Sequence, residues 1–462
     1  MRRLRELCTG EMPVHFYRKT KFLTGVALGL ALGVAPVSVA RAAPPPAVRA
    51  TSMAVGQTVE DFYRARSNAP LWLSGSASIA PDQLIALLNS STLDGLDPQV
   101  FHIDALQQAL QKAREGKRKD IDVADRMLSD AFVSYVAQTR RDPDLGILYV
   151  DAALRPSAPS PRAALLGAAN APSLADYVRN LGWLNPLYGE LRRALATNEY
   201  SNDHERQLLM LNLERARTLP PGKQRYILVN AAQQRLYTYE DGKQVDSMVV
   251  VVGKPKYPTP MMTAYVRFAS LNPYWFVPTD LAAERIAPKV VKQGLKYLND
   301  LGYKVLSDWT PNAQIVDPTT IDWKAVAAGK AEVIMRQDPG PHNSMGRMKF
   351  MFPNEAGVYL HDNPERELFT EASRLYSGGC VRLEDAPRLG RWLFGHELEW
   401  ESASTEQMEP LKMPVPVYIT YLTAMPDETG SSIAYYNDVY GRDAARVARS
   451  DSSTGKVTSA AR

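Results

Sequence analysis

The strongest constraint on the fold of this chain is a change of hydrophobic period near Tyr226. Before it, apolar residues recur at helical spacing: Leu84, Ile85, Leu87 and Leu88 over 82–88, Leu106, Ala109 and Leu110 over 103–113, and Met127, Leu128, Ala131 and Tyr135 over 123–137. Residues at these intervals form one apolar stripe on a helix. After it, Tyr226-Ile227-Leu228-Val229-Asn230 and Arg235-Leu236-Tyr237-Thr238-Tyr239 read as strands, and Asp241-Gly242 turns the chain into a third run over 244–252. An Asp-Gly pair between apolar runs is a strong hairpin signal, because both positions of a tight turn tolerate positive φ. Further strands are predicted over 263–271, 332–337, 348–352, 357–361 and 415–422. Between them, 279–328 turns helical and loop-like, which predicts an insertion over a sheet. The fold class is therefore α+β, with a mostly helical domain over 55–210 and a β-rich domain over 211–424 that carries an inserted helical lid over 279–328.

The two ends of the chain read differently. Arg2, Arg3, Arg5, Arg18, Lys19 and Lys21 make a basic start, 22–39 is an uncharged apolar run, and Ala40-Arg41-Ala42 is an A-x-A cleavage pattern. Residues 1–42 are thus predicted to be a secretory signal peptide that directs the chain to the periplasm, with an uncleaved membrane anchor as the alternative and Met12 as a second candidate start. A Pro/Ala linker follows over 43–54, and 425–462 is a polar extension that ends in a Ser/Thr/Lys/Arg-rich tail expected to be disordered. Seven of the 54 Lys and Arg and two of the 50 Asp and Glu lie in residues 1–42, so the remainder is near neutral. No global positive field argues for a nucleic-acid partner. The chain shows no internal repeat and no glycine motif for a nucleotide. Its histidines form no metal-ligand spacing, so neither a catalytic metal nor a cofactor is expected.

There are two cysteines, Cys8 and Cys380, and the first falls in the predicted signal. A mature chain with one thiol cannot form an internal disulfide. Cys380 sits in Ser377-Gly378-Gly379-Cys380-Val381-Arg382, downstream of the strand-like Val358-Tyr359-Leu360-His361-Asp362. A lone thiol with a histidine on a nearby strand points to a cysteine nucleophile. Free cysteine titrates near about 8.5, so it needs help at neutral pH. His361 is the candidate base, with His342 a competitor, and Asp362 could orient the imidazole by side chain or carbonyl. Gly378 and Gly379 let the backbone bend and offer N–H groups to an oxyanion, together with that of Cys380. Arg382 shares a strand face with Cys380, where it could hold a substrate carboxylate, lower the thiol pKa, or simply pair with a carboxylate. Ser377 reads as a residue that hydrogen-bonds the turn. Met261, Met262, Met348 and Met351 read as packing.

His361, fifteen intervening residues and Ser377-x-Gly379-Cys380-x-Arg382 resemble the active-site signature of the L,D-transpeptidases, the YkuD-type catalytic domain. Val251-Val252-Gly253-Lys254-Pro255, Asn272-Pro273-Tyr274-Trp275, Arg336-Gln337-Asp338-Pro339-Gly340-Pro341-x-Asn343 and Gly346-Arg347-x-Lys349-Phe350-Met351-Phe352-Pro353-Asn354 are similar to the large Gram-negative members. Phe62-Tyr63-x-Ala65-Arg66 and Gly95-Leu96-Asp97-Pro98 resemble their helical scaffold domain. The chain departs from that pattern twice. Gly378 stands where the family often has a second histidine, and the short stretch over 186–210 leaves no room for the usual peptidoglycan-binding module. The resemblance implies an acyltransferase of cell-wall biosynthesis. Cys380 would attack the third-residue (diaminopimelate) carbonyl of a donor tetrapeptide stem, His361 would protonate the departing D-Ala, and an acceptor amine would complete a 3–3 cross-link. A 1–3 cross-link, hydrolysis by the same acyl-enzyme, and a non-catalytic wall scaffold are the alternatives. Its partners would be peptidoglycan stem peptides and other wall-synthesis proteins, with carbapenems as covalent inhibitors. Trp275, Tyr274 and Asn272 could line the donor groove or simply pack in the core, and Arg336 and Asn343 are further orienting or substrate-binding candidates. A papain-like protease is disfavoured because there the cysteine precedes the histidine.

Overall fold

The computed structural model describes residues 59–74, 78–399 and 406–446. The predicted signal and linker, Cys8 and the chain beyond 446 lie outside them. Helices follow at 59–65, Ala80–Asn89, Ile103–Ala113, Arg118–Thr139, Pro161–Ala169, Leu174–Arg179, Pro186–Ala196 and Asp203–Ala216. The side chains of Ser160, Ser173, Asn185 and Asn202 accept first-turn N–H groups and so fix where four of these helices begin. An aromatic core binds them, in which Phe132 meets Trp72 and Trp183 edge to face at 5.4 and 5.2 Å. Two buried carboxylates organise the loops. Asp125 accepts the main-chain N–H groups of Leu71, Trp72 and Leu73, and Asp94 accepts the phenols of Tyr135 and Tyr188 and pairs with Arg192 at 2.9 Å. Among the described residues no helix is long and apolar enough to cross a membrane; the apolar run over 22–39 lies outside them.

The strands are β1 (Leu148–Tyr149), β2 (Tyr226–Asn230), β3 (Arg235–Glu240), β4 (Lys243–Gly253), β5 (Met262–Leu271), β6 (Trp275–Val277), β7 (Tyr303–Leu306), β8 (Ile315–Val316), β9 (Ile334–Gln337), β10 (Met348–Met351), β11 (Leu360–His361), β12 (Leu375–Ser377), β13 (Val381–Leu383), β14 (Gln407–Thr420), β15 (Ala424–Pro426) and β16 (Ile433–Tyr435). The path β5–β10–β11–β13–β4–β3–β2–β14 closes on itself, because β14 pairs with β2 in parallel and with β5 in antiparallel. Closure leaves no long unpaired edge in this ring. The hairpin between β3 and β4 turns at Asp241 and Gly242, both at positive φ, as the Asp-Gly pair predicts.

Alternation along the strands serves two cores at once. Ile227, Val229, Val417 and Ile419 point into the barrel with the helix Ala386–Phe394, whereas Tyr226, Leu228 and Tyr418 join the helical core outside. The helical region is also stitched on by hydrogen bonds. β1 pairs with the start of β5, and the Asp151 carboxylate accepts the N–H of Tyr265 and pairs with Arg267 at 2.5 Å.

The insertion holds more strand than the sequence indicated. Its helices Thr279–Leu281, Ala287–Gln293, Lys296–Asp300 and Trp323–Ala327, with a π-helical turn at Ala282–Ile286, pack on a four-stranded sheet of order β6–β9–β7–β8. Two of those strands lie outside 279–328, so the folded unit runs from β6 to β9. It has its own core around Val277, Ile286, Leu298, Val305, Trp323 and Met335. At the other end, the predicted polar extension begins with the β15–β16 hairpin and runs, within the described residues, to a helical turn over 442–446.

Candidate active site

The site lies where β10, β11 and β13 run side by side. Lys349 pairs with His361, and His361 with Arg382; one residue along, Phe350, Leu360 and Val381 align. The second row is buried in the barrel core, so the first row stands on the opposite face. Cys380 immediately precedes β13. The N–H of Val381 donates to the carbonyl of Tyr359 at 2.9 Å, which brings Cys380 alongside Tyr359 and onto the face of Arg382.

The cysteine turn is shaped by its neighbours. Ser377 Oγ donates to the carbonyl of Cys380 at 2.6 Å and accepts the N–H of Gly379 at 3.1 Å. Gly379 has φ +122°, a conformation that side-chain-bearing residues rarely adopt, and a Cβ on Gly378 would come within 3.2 Å of Leu281. The thiol of Cys380 is partly exposed and directed at the carbonyl of Gly357, at 3.5 Å. Burial among the surrounding atoms pushes the thiol above its ordinary pKa; the main-chain hydrogen bond at Tyr359 and the charges of Lys349 and Arg382 pull it back.

His361 is buried, and its Nδ1 lies 2.6 Å from the carbonyl oxygen of Asp362. A carbonyl only accepts, so Nδ1 carries the hydrogen and the lone pair is left on Nε2. Burial, then the charges of Arg382 and Lys349, lower the imidazole to about 3, against main-chain hydrogen bonds at Asp362 and Met345. Burial thus favours the neutral form of both the thiol and the imidazole.

The structure distributes the other predicted residues unevenly. Asp362 orients His361 through its carbonyl; its carboxylate is occupied by the N–H of Arg347 at 2.9 Å. Ser377 holds the turn through its hydroxyl. Gly379 is needed for its backbone angle, but its N–H is engaged with Ser377 and does not serve as an oxyanion donor in this arrangement. Arg382 is paired with Glu365 at 2.6 Å and with Asn363 at 3.1 Å, so its guanidinium fixes the segment after β11 rather than standing open to a substrate carboxylate. The buried amide of Asn343 donates to the carbonyls of Pro273, Gln337 and Asp338 and its oxygen accepts the N–H of Met345, so it staples loops together.

Trp275, Arg336 and Asn272 make contacts of their own. Trp275 packs toward Tyr303 in the insertion, Arg336 lies over Tyr274 at 4.4 Å and bonds Asp338, and Asn272 closes β5 against Arg347. His342 is exposed and contributes only its carbonyl, to Gln337.

Two residues near the thiol were not singled out from the sequence. Lys349 places its ammonium 3.9 Å from the centre of the Tyr359 ring, and each feels the charge of Cys380. Burial lowers the lysine and raises the phenol to about 12. Only the strand register reveals that Lys349 and His361 share a face. The insertion also reaches the turn. Glu284 bonds Lys256 at 2.5 Å and Tyr257 at 2.6 Å, and Arg285 donates to the carbonyl of Tyr376 at 3.2 Å.

Comparison with known proteins places this geometry. Residues 224–396 match the model of the L,D-transpeptidase catalytic domain, YkuD, and residues 57–195 match that of the Scaffold domain. A protein of Haemophilus influenzae named as a putative L,D-transpeptidase is 28% identical over 399 residues, which cover 83% of this chain and 77% of the relative. Among solved structures, an L,D-transpeptidase from Mycobacterium smegmatis shares 14% identity over 44% of this chain and 63% of its own, with a TM-score of 0.20. The chain thus spans just under two thirds of that protein. The catalytic domain of an E. faecium L,D-transpeptidase shares 18% identity over 43% of this chain and 98% of its own, with a TM-score of 0.17.

Proposed function

We propose that this chain, which belongs to the L,D-transpeptidases with a scaffold domain before its catalytic domain, is a peptidoglycan cross-linking acyltransferase with Cys380 as its nucleophile. The reading is supported by one partly exposed thiol on a glycine turn and, on the adjoining strand β11, a buried histidine whose Nδ1 is held by the Asp362 carbonyl. Sγ attacks the carbonyl of the third, diaminopimelate residue of a tetrapeptide stem while Nε2 of His361 takes the thiol proton. The C–N bond to D-Ala breaks, and the same proton passes to the leaving amine. A thioester on Cys380 results. The side-chain amine of a second diaminopimelate then attacks it, which forms the 3–3 amide and returns the proton to sulfur. The N–H groups of Gly378 and Cys380 are the oxyanion donors in this scheme. Carbapenems present an electrophilic carbonyl to the same sulfur, and the enzyme works on the periplasmic side.

Incubation of the purified protein with disaccharide tetrapeptides, followed by mass spectrometry of the products, tests this. The reading expects dimers joined through two third-position residues with release of one D-Ala per link. Dimers joined through a first-position residue assign the 1–3 reaction instead, and tripeptides alone make the protein a carboxypeptidase.

A further inference from the structure

We infer that the segment after the closing strand positions the cysteine turn, through Tyr440 and Arg442, and that the scaffold-side helix Asp203–Ala216 anchors that segment. The inference rests on Cys380 being the nucleophile. It starts at Thr259, a fully buried residue whose single hydroxyl does two things: Oγ1 donates to the carbonyl of Gly379 and accepts the N–H of Gly253, each at 2.8 Å. Next to it, the N–H of Lys254 donates to the carbonyl of Ser377 at 3.1 Å. The loop over 253–259 therefore braces the residues before and within the turn that carries Cys380. That loop is too tight for any side chain at Gly253, where a Cβ would overlap the carbonyl of Tyr257.

Both ends of the loop are held from the C-terminal segment. Tyr440 OH donates to the carbonyl of Gly253 at 2.6 Å, and Arg442 Nη2 donates to the carbonyl of Thr259 at 2.7 Å. The guanidinium of Arg442 lies 4.9 Å from the rings of both Tyr421 and Tyr440. Asp438 gathers the base of this arrangement, accepting from Tyr421 OH at 2.8 Å and from the N–H groups of Arg442 and Asp443 at 2.8 and 2.9 Å. One residue on, Asp443 forms a buried ion pair with Arg215 of the Asp203–Ala216 helix at 2.6 Å and accepts Thr423 Oγ1 at 2.6 Å. Thr423 is in turn bonded by Asn212 of the same helix at 2.9 Å. An unbroken set of hydrogen bonds thus runs from that helix to Gly379, the residue before the nucleophile. A merely adhesive tail would need none of these bonds to end on the loop that supports the turn.

Tyr440 and Arg442 are positioning residues, since they act on Cys380 only through Gly253 and Thr259. The test uses the full chain and a carbapenem, with formation of the Cys380 adduct followed by mass spectrometry. Two numbers are read: the first-order rate at saturation and the half-saturating concentration. Tyr440→Phe and Thr259→Val are each expected to slow the first-order rate on the order of tenfold, because small misplacements of reacting groups are costly. The half-saturating concentration is expected to stay near the wild-type value, and the thermal midpoint to move by a few degrees only. Thr259→Ser restores the hydroxyl and most of the lost rate, and the double variant Tyr440→Phe/Thr259→Val loses less than the product of the two effects. Tyr435→Phe is the control: its hydroxyl, on the same C-terminal segment, is buried without a partner, and the rate is expected to match wild type. Wild-type first-order rates in Tyr440→Phe and Thr259→Val overturn the inference; if Thr259→Val does not fold, Tyr440→Phe decides alone. A wild-type protein that gains no adduct at Cys380 overturns the nucleophile assignment and this inference with it.

Discussion

Two parts of the chain outside the barrel hold the cysteine turn, and they do so with contacts of opposite kind. The insertion between β6 and β9 reaches it through Glu284, whose bond to Lys256 leaves the two side chains 36% and 63% exposed. The C-terminal segment reaches it from an ion pair, Arg215 with Asp443, whose side chains are 3% and 6% exposed. Exposed pairs in water contribute little and are easily exchanged for solvent, whereas breaking one partner of a buried pair strands the other. The first arrangement suits a part that moves when substrate enters; the second suits a part that must not. The π-helical turn Ala282–Ile286, next to Leu281 and Gly378, fits the same division, since such turns mark positions where a helix departs from regularity for function.

The comparison can be broken most sharply at Asp443. Asp443→Ala leaves the Arg215 charge buried and is expected to cost roughly 3–5 kcal/mol in chemical denaturation. A loss below about 1 kcal/mol would remove the distinction between the two attachments.

The next effect is one of pH, and it reports on the fixed side of the site. His361 titrates at about 3 in the folded chain. In the unfolded chain a histidine takes its proton near about 6.5. Between those values the unfolded state binds more protons, so the stability due to the neutral imidazole is complete above about 6.5 and is lost as pH falls toward 3. Thermal midpoints of wild type and His361→Gln, measured from pH 7.5 downward, are expected to converge. Parallel curves would contradict a buried, neutral His361.

Amide exchange resolves the two attachments residue by residue. In the free protein, residues 279–300 are expected to exchange faster than 436–446 and to gain protection once Cys380 carries a carbapenem. Equal exchange of the two segments, or no change on acylation, would count against a moving lid. The smallest effect is expected at Glu284→Gln, below about 1 kcal/mol in stability, because the pair it breaks is exposed.

Much of this was legible in the sequence where local pattern and tertiary role coincide. The strands of the barrel follow alternation, β2 to the residue and β3 to within one, because each strand faces two apolar cores. Cys380 and His361 stood out because a lone thiol and a histidine ending a strand carry chemistry that packing does not need. What stayed hidden depends on long-range pairing. The four-residue β7 and the two-residue β8 have too little length for a period to show, and only the pairing of β7 with β9 and of β8 with β7 makes them strands. The partners that Asn343 and Arg382 find, the Pro273, Gln337 and Asp338 carbonyls and Glu365, are unknowable from spacing. The contacts of the C-terminal segment, read only as a polar extension, stayed hidden for a related reason. Asp438, Tyr440, Arg442 and Asp443 satisfy one another and their neighbours, so a polar composition that suggests solvent is in fact an interior contact.

The central claim is that Cys380 is the nucleophile and a neutral His361 its proton carrier. The most direct measurement is the mass of the protein after mixing with a tetrapeptide stem, for wild type, Cys380→Ala and His361→Ala, from pH 5 to 8. The account predicts a wild-type adduct on Cys380 with loss of D-Ala, formed at a rate nearly independent of pH in that range. It predicts no adduct in Cys380→Ala, and a rate lower by roughly 10²–10⁴-fold in His361→Ala. An adduct that persists in Cys380→Ala, or a wild-type rate in His361→Ala, would contradict it.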